Sequence, residues 1–195
     1  MLTNRQAAHL QGVPVDYYSA PDVSSATDFI LSSRLPQIAG AALIEDVAYF
    51  VFLGTLKRSV TALKIYFHVS AGGTGAQTNA EVGLFSTPTQ PNRVGQTLTK
   101  LAATGTLGDL TGTGVLGNTT SLARDIPAGT HLWAAVRSVM ATNEPTIWGL
   151  TADMAHGRIL TTATAGALTA STTFVGAIVA ASVAWQAPAL TLHVS

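Results

Sequence analysis

An alternating strand pattern is the feature that most limits how this chain can fold. In the stretch "RSVTALKIYFHVS", successive side chains point to opposite faces, with Leu63, Ile65, Phe67 and Val69 on one face and Lys64, Tyr66, His68 and Ser70 on the other. Such alternation indicates a half-buried strand. No long stretch shows a 3.6-residue periodicity. About eight to ten short strands with Gly- and Pro-containing turns therefore predict an all-β fold, a sandwich or a barrel.

Further strands follow along the chain. The segment "AEVGLFS" alternates again and is closed by the Pro-containing "TPTQPN". Residues 103–118 form a low-complexity Gly/Thr stretch, which indicates a long loop around a short strand. A strand is then predicted to end near Ile126, "PAG" turns the chain, and "THLWAAVRSV" runs back as the next strand. Two more are expected in "PTIWGLTADM" and "GRILTTAT".

The first 44 residues lack sustained periodicity and predict an extended arm. Pro, Asp and Ser are mixed there with aromatic and aliphatic side chains. An ordered arm of this composition must lie on a surface, so its apolar residues are candidate interface residues: Tyr17, Tyr18, Phe29, Ile30, Leu31 and Leu35. The predicted domains are an N-terminal arm (1–44) and a jelly-roll-like antiparallel β-sandwich (45–195).

A shortage of charge runs through the whole chain. Charged residues make up 10%, with ten basic and ten acidic side chains, where about 25% is usual. A neutral surface with few charges is poorly protected against association, so protein neighbours are expected. Basic residues form no cluster beyond Lys57-Arg58. Nucleic acid and anionic membrane surfaces are therefore not expected as partners.

The C-terminal stretch 159–195 contains no Asp, Glu, Lys or Arg. Its part 174–192 reaches the length of a membrane span, but Ser182, Gln186, Pro188 and Thr191 interrupt it, and a transmembrane helix is disfavoured. Apolar side chains fall on both faces, with Val175 opposite Phe174. The pattern predicts a strand covered on both sides, and leaves open whether the second cover comes from this chain or from another subunit.

Cysteine content and the N-terminal segment bear on the cellular compartment. Cysteine is absent, which excludes disulfides and thiolate chemistry but not a compartment. The start "MLTNRQAAHLQGVPVDYYS" does not have the pattern of a signal peptide. Asn118 heads an N-T-T glycosylation sequon, which matters only in a glycosylating secretory pathway.

No motif predicts an enzyme, a cofactor site or a metal site. The G-x-G-x-x-G match at 112–117 lacks the strand before it and the helix after it that phosphate binding requires. Five histidines show no metal-ligand spacing, although convergence of His68, His131 and His193 in space is left open. The G-x-S-x-G elbow is absent. The carboxylates carry no sign of pairing and are expected to be solvated. They are Glu81, Asp125, Glu144 and Asp153.

Aromatic residues offer the one small-molecule alternative. Trp133 and Trp185 lie in apolar strand patterns and are expected in the core. Trp148, in "EPTIWGL", is the tryptophan expected to be exposed and able to stack on a sugar ring.

Two segments resemble the jelly-roll modules of tailed-phage virion proteins. Val82, Gly83, Leu84, Phe85 and Ser86 are similar to the "xVGLYS"-like strand of those modules. The second similarity is to their "L.AGT.YWLA"-like element and includes Ala128, Gly129, Thr130, Leu132, Trp133 and Ala134. The resemblance covers residues 48–140 well, and 141–195 only by general strand character.

The resemblance implies a virion structural protein without catalytic residues. Such modules occur in head decoration (cement) proteins, tail fibres and baseplate receptor-binding proteins, and often assemble around threefold axes. Because the chain lacks a repetitive shaft, a decoration subunit on the capsid surface is expected. Its expected partners are itself, as a homotrimer, and other virion proteins such as the major capsid protein. The alternative is a tail module that binds host saccharide through Trp148 and the loops 71–79 or 103–118.

Overall fold

The computed structural model describes residues 28–31, 39–89, 96–150, 159–162, 167–179 and 187–195. These residues form strands, turns and loops, with no helix among them. Antiparallel sheets pack on each other in a sandwich-like arrangement, which confirms the all-β fold class. None of the described residues forms a helix long and apolar enough to cross a membrane.

Fourteen strands form two sheets in this part of the chain. Sheet A contains β1 (Asp28–Leu31), β2 (Ala39–Ala42), β4 (Val60–Ala71), β7 (Gly114–Gly117), β8 (Arg124–Ile126), β10 (Thr146–Leu150), β13 (Ala187–Pro188) and β14 (Thr191–Val194). Sheet B contains β3 (Ala48–Thr55), β5 (Gln77–Thr87), β6 (Gln96–Thr104), β9 (His131–Met140), β11 (Ile159–Thr162) and β12 (Thr173–Val179).

Sheet B closes on itself in the order β11-β12-β6-β5-β9-β3, and β3 pairs with β11 again. Sheet A packs on the outer face of β3, β5 and β9. Side chains such as Ile65 and Phe67 of sheet A meet Val82 and Leu84 of sheet B in this first core. A second core fills the interior of the closed sheet. The strands β3, β5 and β9 are thus the middle of three layers.

Aromatic rings fill the interior of the closed sheet. Phe50 contacts Phe85 edge to face with ring centroids 5.0 Å apart, and Phe174 at 5.1 Å. Phe52 lies 5.1 Å from Trp133, whose indole N–H donates to Thr87 Oγ1 at 3.1 Å. Edge-to-face and tilted pairs at these distances are favourable arrangements of aromatic rings. The burial of Trp133 confirms its expected place in the core.

The alternation predicted for β4 holds from Ile65 onward and breaks before it. Ile65, Phe67 and Val69 are buried, but Leu63 and Lys64 are both only partly buried, and Ala62 is buried again. The pairing with β14 shifts register at the same place, between His193 and Val194. A β-bulge therefore turns Leu63 away from the core face that the sequence pattern predicts.

Asn118 holds this bulge in place. Its Oδ1 accepts from the Ile65 N–H at 2.7 Å, and its Nδ2 donates to the carbonyls of Leu63 and Thr120 at 3.3 and 2.6 Å. The residue is 2% exposed. Since the side-chain nitrogen is buried and already bonded, the sequon at Asn118 cannot receive a glycan in the folded protein.

Two strands from the stretch predicted as an arm belong to sheet A. Strand β1 pairs antiparallel with β14, and β2 pairs with β10. Phe29, Ile30 and Leu31 therefore lie in a strand of this chain's own sheet. Tyr17, Tyr18 and Leu35 lie outside the described residues. The interface role of all six residues stays a prediction.

Strand β12 has one covered face and one open face. Phe174 is buried inside the closed sheet, whereas Val175 is 73% exposed. No described residue covers the outer face at Val175, because sheet A packs on β3, β5 and β9. The predicted second cover, left open between this chain and another subunit, stays a prediction. Val183 and Trp185, which continue the pattern, lie outside the described residues.

The turn after Ile126 connects the two sheets. Strand β8 pairs with β4 in sheet A, whereas β9 lies in sheet B. Gly129 takes a positive φ of 84° in this turn, a conformation that glycine adopts at little cost. The two strands and the turn predicted here are confirmed.

Candidate functional site on the outer face of sheet A

A row of polar and aromatic side chains crosses the outer face of sheet A. Strand β4 buries Ile65, Phe67 and Val69, so the residues between them face outward. Neighbouring strands add Trp148 and His193 to the same row. We call this row the outer strip, defined as Lys64, Tyr66, His68, Trp148 and His193.

A stacked pair forms one half of the outer strip. The rings of His68 and Trp148 lie 4.0 Å apart at an angle of 27°. Trp148 is 37% exposed, which agrees with the sequence expectation for this residue. The stack covers part of the indole, and the exposed part is held in a fixed orientation.

The buried edge of His68 bears on its tautomer. Its Nδ1 is buried and has no hydrogen-bond partner among the described residues. A buried N–H without an acceptor costs about 1–3 kcal/mol. The tautomer with its proton on Nε2 is therefore favoured over the one with its proton on Nδ1.

Tyr66 and His193 form the other half of the outer strip. Their ring centroids are 6.5 Å apart, and His193 is in register with Lys64 on the adjacent strand. Gly117 lies opposite Tyr66 on β7. A Cβ on Gly117 would lie 2.8 Å from a carbon of the Tyr66 ring and 2.5 Å from the Ile65 carbonyl oxygen. Only glycine leaves room for the tyrosine ring here.

An exposed valine borders the outer strip. Val115 is 68% exposed and is the cross-strand partner of His68. Directly paired residues of adjacent strands lie on the same face. The strip therefore continues into an apolar margin on β7.

The histidines do not converge on a metal. His68 and His193 lie on the outer strip, but His131 belongs to sheet B, where its Nδ1 lies 2.8 Å from Thr55 Oγ1. The described residues contain no group of three or more His, Cys, Asp or Glu side chains placed to hold a metal ion. His9 and His156 lie outside the described residues.

Glu81 is not solvated, and the prediction that it would be is wrong. It is 1% exposed and in register with Arg137 on β9. Its Oε2 accepts a hydrogen bond from Arg137 Nη1 at 3.0 Å. Its carboxylate also accepts from the Leu168 N–H at 2.6 Å and from the Thr169 hydroxyl. The third layer buries this face of β5, and the arginine and the turn around Leu168 replace the lost water. Arg137 also pairs with Asp46.

The other carboxylates have separate roles. Asp125 accepts from Thr61 Oγ1 at 2.6 Å on the surface of sheet A. Glu144 accepts from the Met140 N–H at 2.7 Å within its own turn. Asp153 lies outside the described residues. Asp125 and Glu144 thus each accept one local hydrogen bond.

The loops predicted to bind saccharide pack against each other. The Gly73 N–H donates to the Leu110 carbonyl, and the Leu110 N–H to Gln77 Oε1, both at 2.9 Å. Hydrogen bonds from the backbone N–H and the hydroxyl of Thr111 lower the pKa of the exposed Asp109 carboxyl. These loops are tied by hydrogen bonds, and the exposed rings lie on the sheet face instead.

Comparison with known proteins yields no match: no protein-family model, no curated protein and no solved structure is similar to this chain. The resemblance to phage modules therefore stays a prediction that rests on its two motifs. In the fold these motifs are neighbours, since Leu84 pairs with Ala134 and Phe85 with Trp133. Most of their side chains are buried in the core, namely Val82, Leu84, Phe85, Leu132, Trp133 and Ala134. They bear on the fold and carry little information about a binding role.

The sequence pattern missed most of the outer strip. It predicted the exposure of Trp148 and the outward face of β4. It did not predict that β10 and β14 each pair with a different part of β4. Antiparallel pairing between strands far apart in the sequence brings His68 to Trp148 and Tyr66 to His193. The available signal was the outward face of β4, which carries aromatic residues where charged residues are usual.

Proposed function

We propose that this protein is a virion structural protein of a tailed bacteriophage, a decoration subunit that stabilises a capsid through contacts with its neighbours. The proposal rests on the two motif resemblances and on the charge-poor surface of a compact β-module. The mechanism is mechanical, without a catalytic step.

One observation carries this proposal furthest: the bare wall of the closed sheet, which is the outer side of β6 and β12 that no described residue covers. Thr97 and Thr99 of β6 pair with Val175 and Thr173 of β12, and all four are exposed. The two strands are antiparallel, and the wall is free of charge at these positions. Desolvating threonine and valine costs far less than desolvating charged side chains, so the wall is suited to lie against another subunit.

The free energy gained by such a contact is large enough to stabilise a shell. Burial of apolar surface contributes roughly 25 cal/mol per Å², and stable protein interfaces bury about 1,600 Å² in total. Repetition over many equivalent sites multiplies a modest contact. A homotrimer that also contacts the major capsid protein would use two different faces of each subunit.

Copy number in purified virions tests the structural role. Quantitative mass spectrometry of virions that contain this chain is expected to find it in a fixed ratio close to that of the most abundant shell protein. A substitution on the bare wall, Val175→Asp, should lower this ratio without unfolding the protein. Absence from virions that are otherwise complete would contradict the proposal.

A second function is favoured by the stacked and exposed Trp148, namely binding of host saccharide by a tail module. A tryptophan held by His68 offers a fixed apolar surface to a sugar ring. Binding to a glycan array that is lost on Trp148→Ala, and kept on Val175→Thr, would favour this function. Equal binding by both variants would exclude Trp148 as the contact.

A further inference from the structure

We propose that the outer strip binds a linear anionic oligosaccharide, with a neutral part of one sugar ring on Trp148 and an acidic group beside Lys64. The inference rests on the saccharide-binding function proposed above and names its ligand class. Three features of the outer strip carry it: ring geometry, the sign of its charge and its direction along β4.

Ring geometry prepares Trp148 to contact a sugar ring. His68 stacks on Trp148 at 4.0 Å and so fixes the plane of the indole. The ring is still 37% exposed. Fixing a contact ring before binding lowers the entropy lost when the ligand arrives. His68 is thus a positioning residue for Trp148.

Charge on the strip has one sign. The strands that carry the strip, β4, β7, β10 and β14, contain Lys64 and no Asp or Glu. On the adjacent strand β8, Asp125 pairs with Thr61 and faces outward too, but its carboxylate accepts from the Thr61 hydroxyl at 2.6 Å, at the end of β4 away from Trp148. Lys64 is thus the charged side chain within the strip itself, and it complements an acidic group on a ligand that also contacts Trp148.

Direction along the strand favours an extended ligand. Tyr66 and His68 are separated by one strand repeat, about 6.6 Å at a rise of about 3.3 Å per residue. Each meets a ring from another strand, His193 and Trp148 respectively. Lys64 lies one further repeat along the same face. A ligand that contacts both Trp148 and Lys64 must span three outward positions of β4, which requires more than one sugar unit.

Calorimetric titration of the full chain with matched saccharides tests the inference. The probes are trigalacturonic acid and an α2,8-linked sialic acid trimer, each beside its methyl ester, and maltotriose as a neutral trisaccharide. Both acids are expected to bind more tightly than their esters, with an affinity that falls as salt rises. Trp148→Ala is expected to weaken binding about tenfold, and Trp148→Phe to restore part of it.

Lysine variants separate charge from stacking. Lys64→Gln should weaken binding of the acids about threefold and leave the esters unchanged. Lys57→Gln, an equal loss of charge in the turn after β3, should change neither. If esters or maltotriose bind as tightly as the acids, and Lys64→Gln has no effect, the anionic ligand class is overturned while saccharide binding stands. If no probe binds, the inference and the saccharide-binding function both fail.

Discussion

The burial of Glu81 reveals a third layer of the fold that the sequence pattern does not predict. The alternation in "AEVGLFS" places Glu81 opposite Ala80, Val82 and Leu84, where a two-layer sandwich would expose it. In the structure both faces of β5 are covered, and residues 80–85 are all buried. Burying a charge is costly unless it is paired and hydrogen-bonded, and Arg137 with the turn at Leu168 meets both conditions.

Removing this charge is expected to destabilise the fold strongly. Glu81→Gln keeps the shape but leaves Arg137 without its buried partner, and should lower the free energy of unfolding by about 3 kcal/mol. Asp125→Asn, at an exposed acid, should change it by about 0.5 kcal/mol or less. Urea denaturation measures both. Equal effects of the two substitutions would mean that the buried pair does not stabilise the fold.

Tyr49 gives the fold a dependence on alkaline pH. Burial raises the pKa of Tyr49 from 10.0 to about 12, against the lowering effect of the Ile44 N–H bond, and the nearby Glu144 charge adds to the rise. The folded state thus favours the neutral phenol. Its stabilisation is complete below pH 10, where the unfolded chain is also neutral, and is lost as the pH rises through about 12.

A phenylalanine variant isolates this effect. Between pH 10 and 12, the wild type should lose on the order of 2 kcal/mol of unfolding free energy relative to Tyr49→Phe. Tyr66→Phe, which keeps Tyr49, should follow the wild type. The comparison is made by urea denaturation at each pH. Parallel curves for the wild type and Tyr49→Phe would show that the ionisation of Tyr49 is not linked to folding.

At the scale of elements, two adjacent residues of β12 have different roles, one in folding and the other in the proposed assembly. Phe174 packs on Phe50 and Phe85 inside the closed sheet, and its neighbour Val175 faces outward. Phe174→Ala should lower the free energy of unfolding by about 3–5 kcal/mol. Val175→Thr should change it by about 0.5 kcal/mol or less.

Urea denaturation of the two purified variants checks this pair. A large loss of stability in Val175→Thr would show that the outer face of β12 is covered within the subunit. That result would contradict the bare wall, and with it the surface that the decoration proposal uses.

The elements differ in how well the sequence predicts them. Strands β4, β5, β8 and β9 follow from local alternation and turn residues, because those signals act within a few positions. The bulge at Leu63 could not be predicted, since it depends on Asn118, more than fifty residues away. The short strands β1 and β2 have no periodicity to detect, and acquire their conformation from β14 and β10.

At the scale of the whole molecule, the two cores share the strands β3, β5 and β9. Alternate residues of one strand enter different cores: Val51 the first and Phe50 the second. Neither core can therefore form fully without the middle layer. The sequence predicts the all-β class, but closure of sheet B depends on pairing between β3 and β11, which are distant in sequence.

Shared strands predict a single cooperative unfolding transition. Far-ultraviolet circular dichroism reports on both sheets, and tryptophan fluorescence of a Trp148→Phe variant no longer reports on the outer strip. The two transitions are expected to coincide in urea. Two separate midpoints would show that sheet A and the closed sheet unfold independently.

Immunogold electron microscopy of virions, with antibodies raised against this chain, tests the central claim most directly. The decoration proposal predicts gold particles distributed over the heads of tailed virions, at many sites on each head. Label confined to the tail tip would contradict it and favour the receptor-binding alternative. Virions without label, from a culture in which the chain is produced, would contradict a virion role altogether.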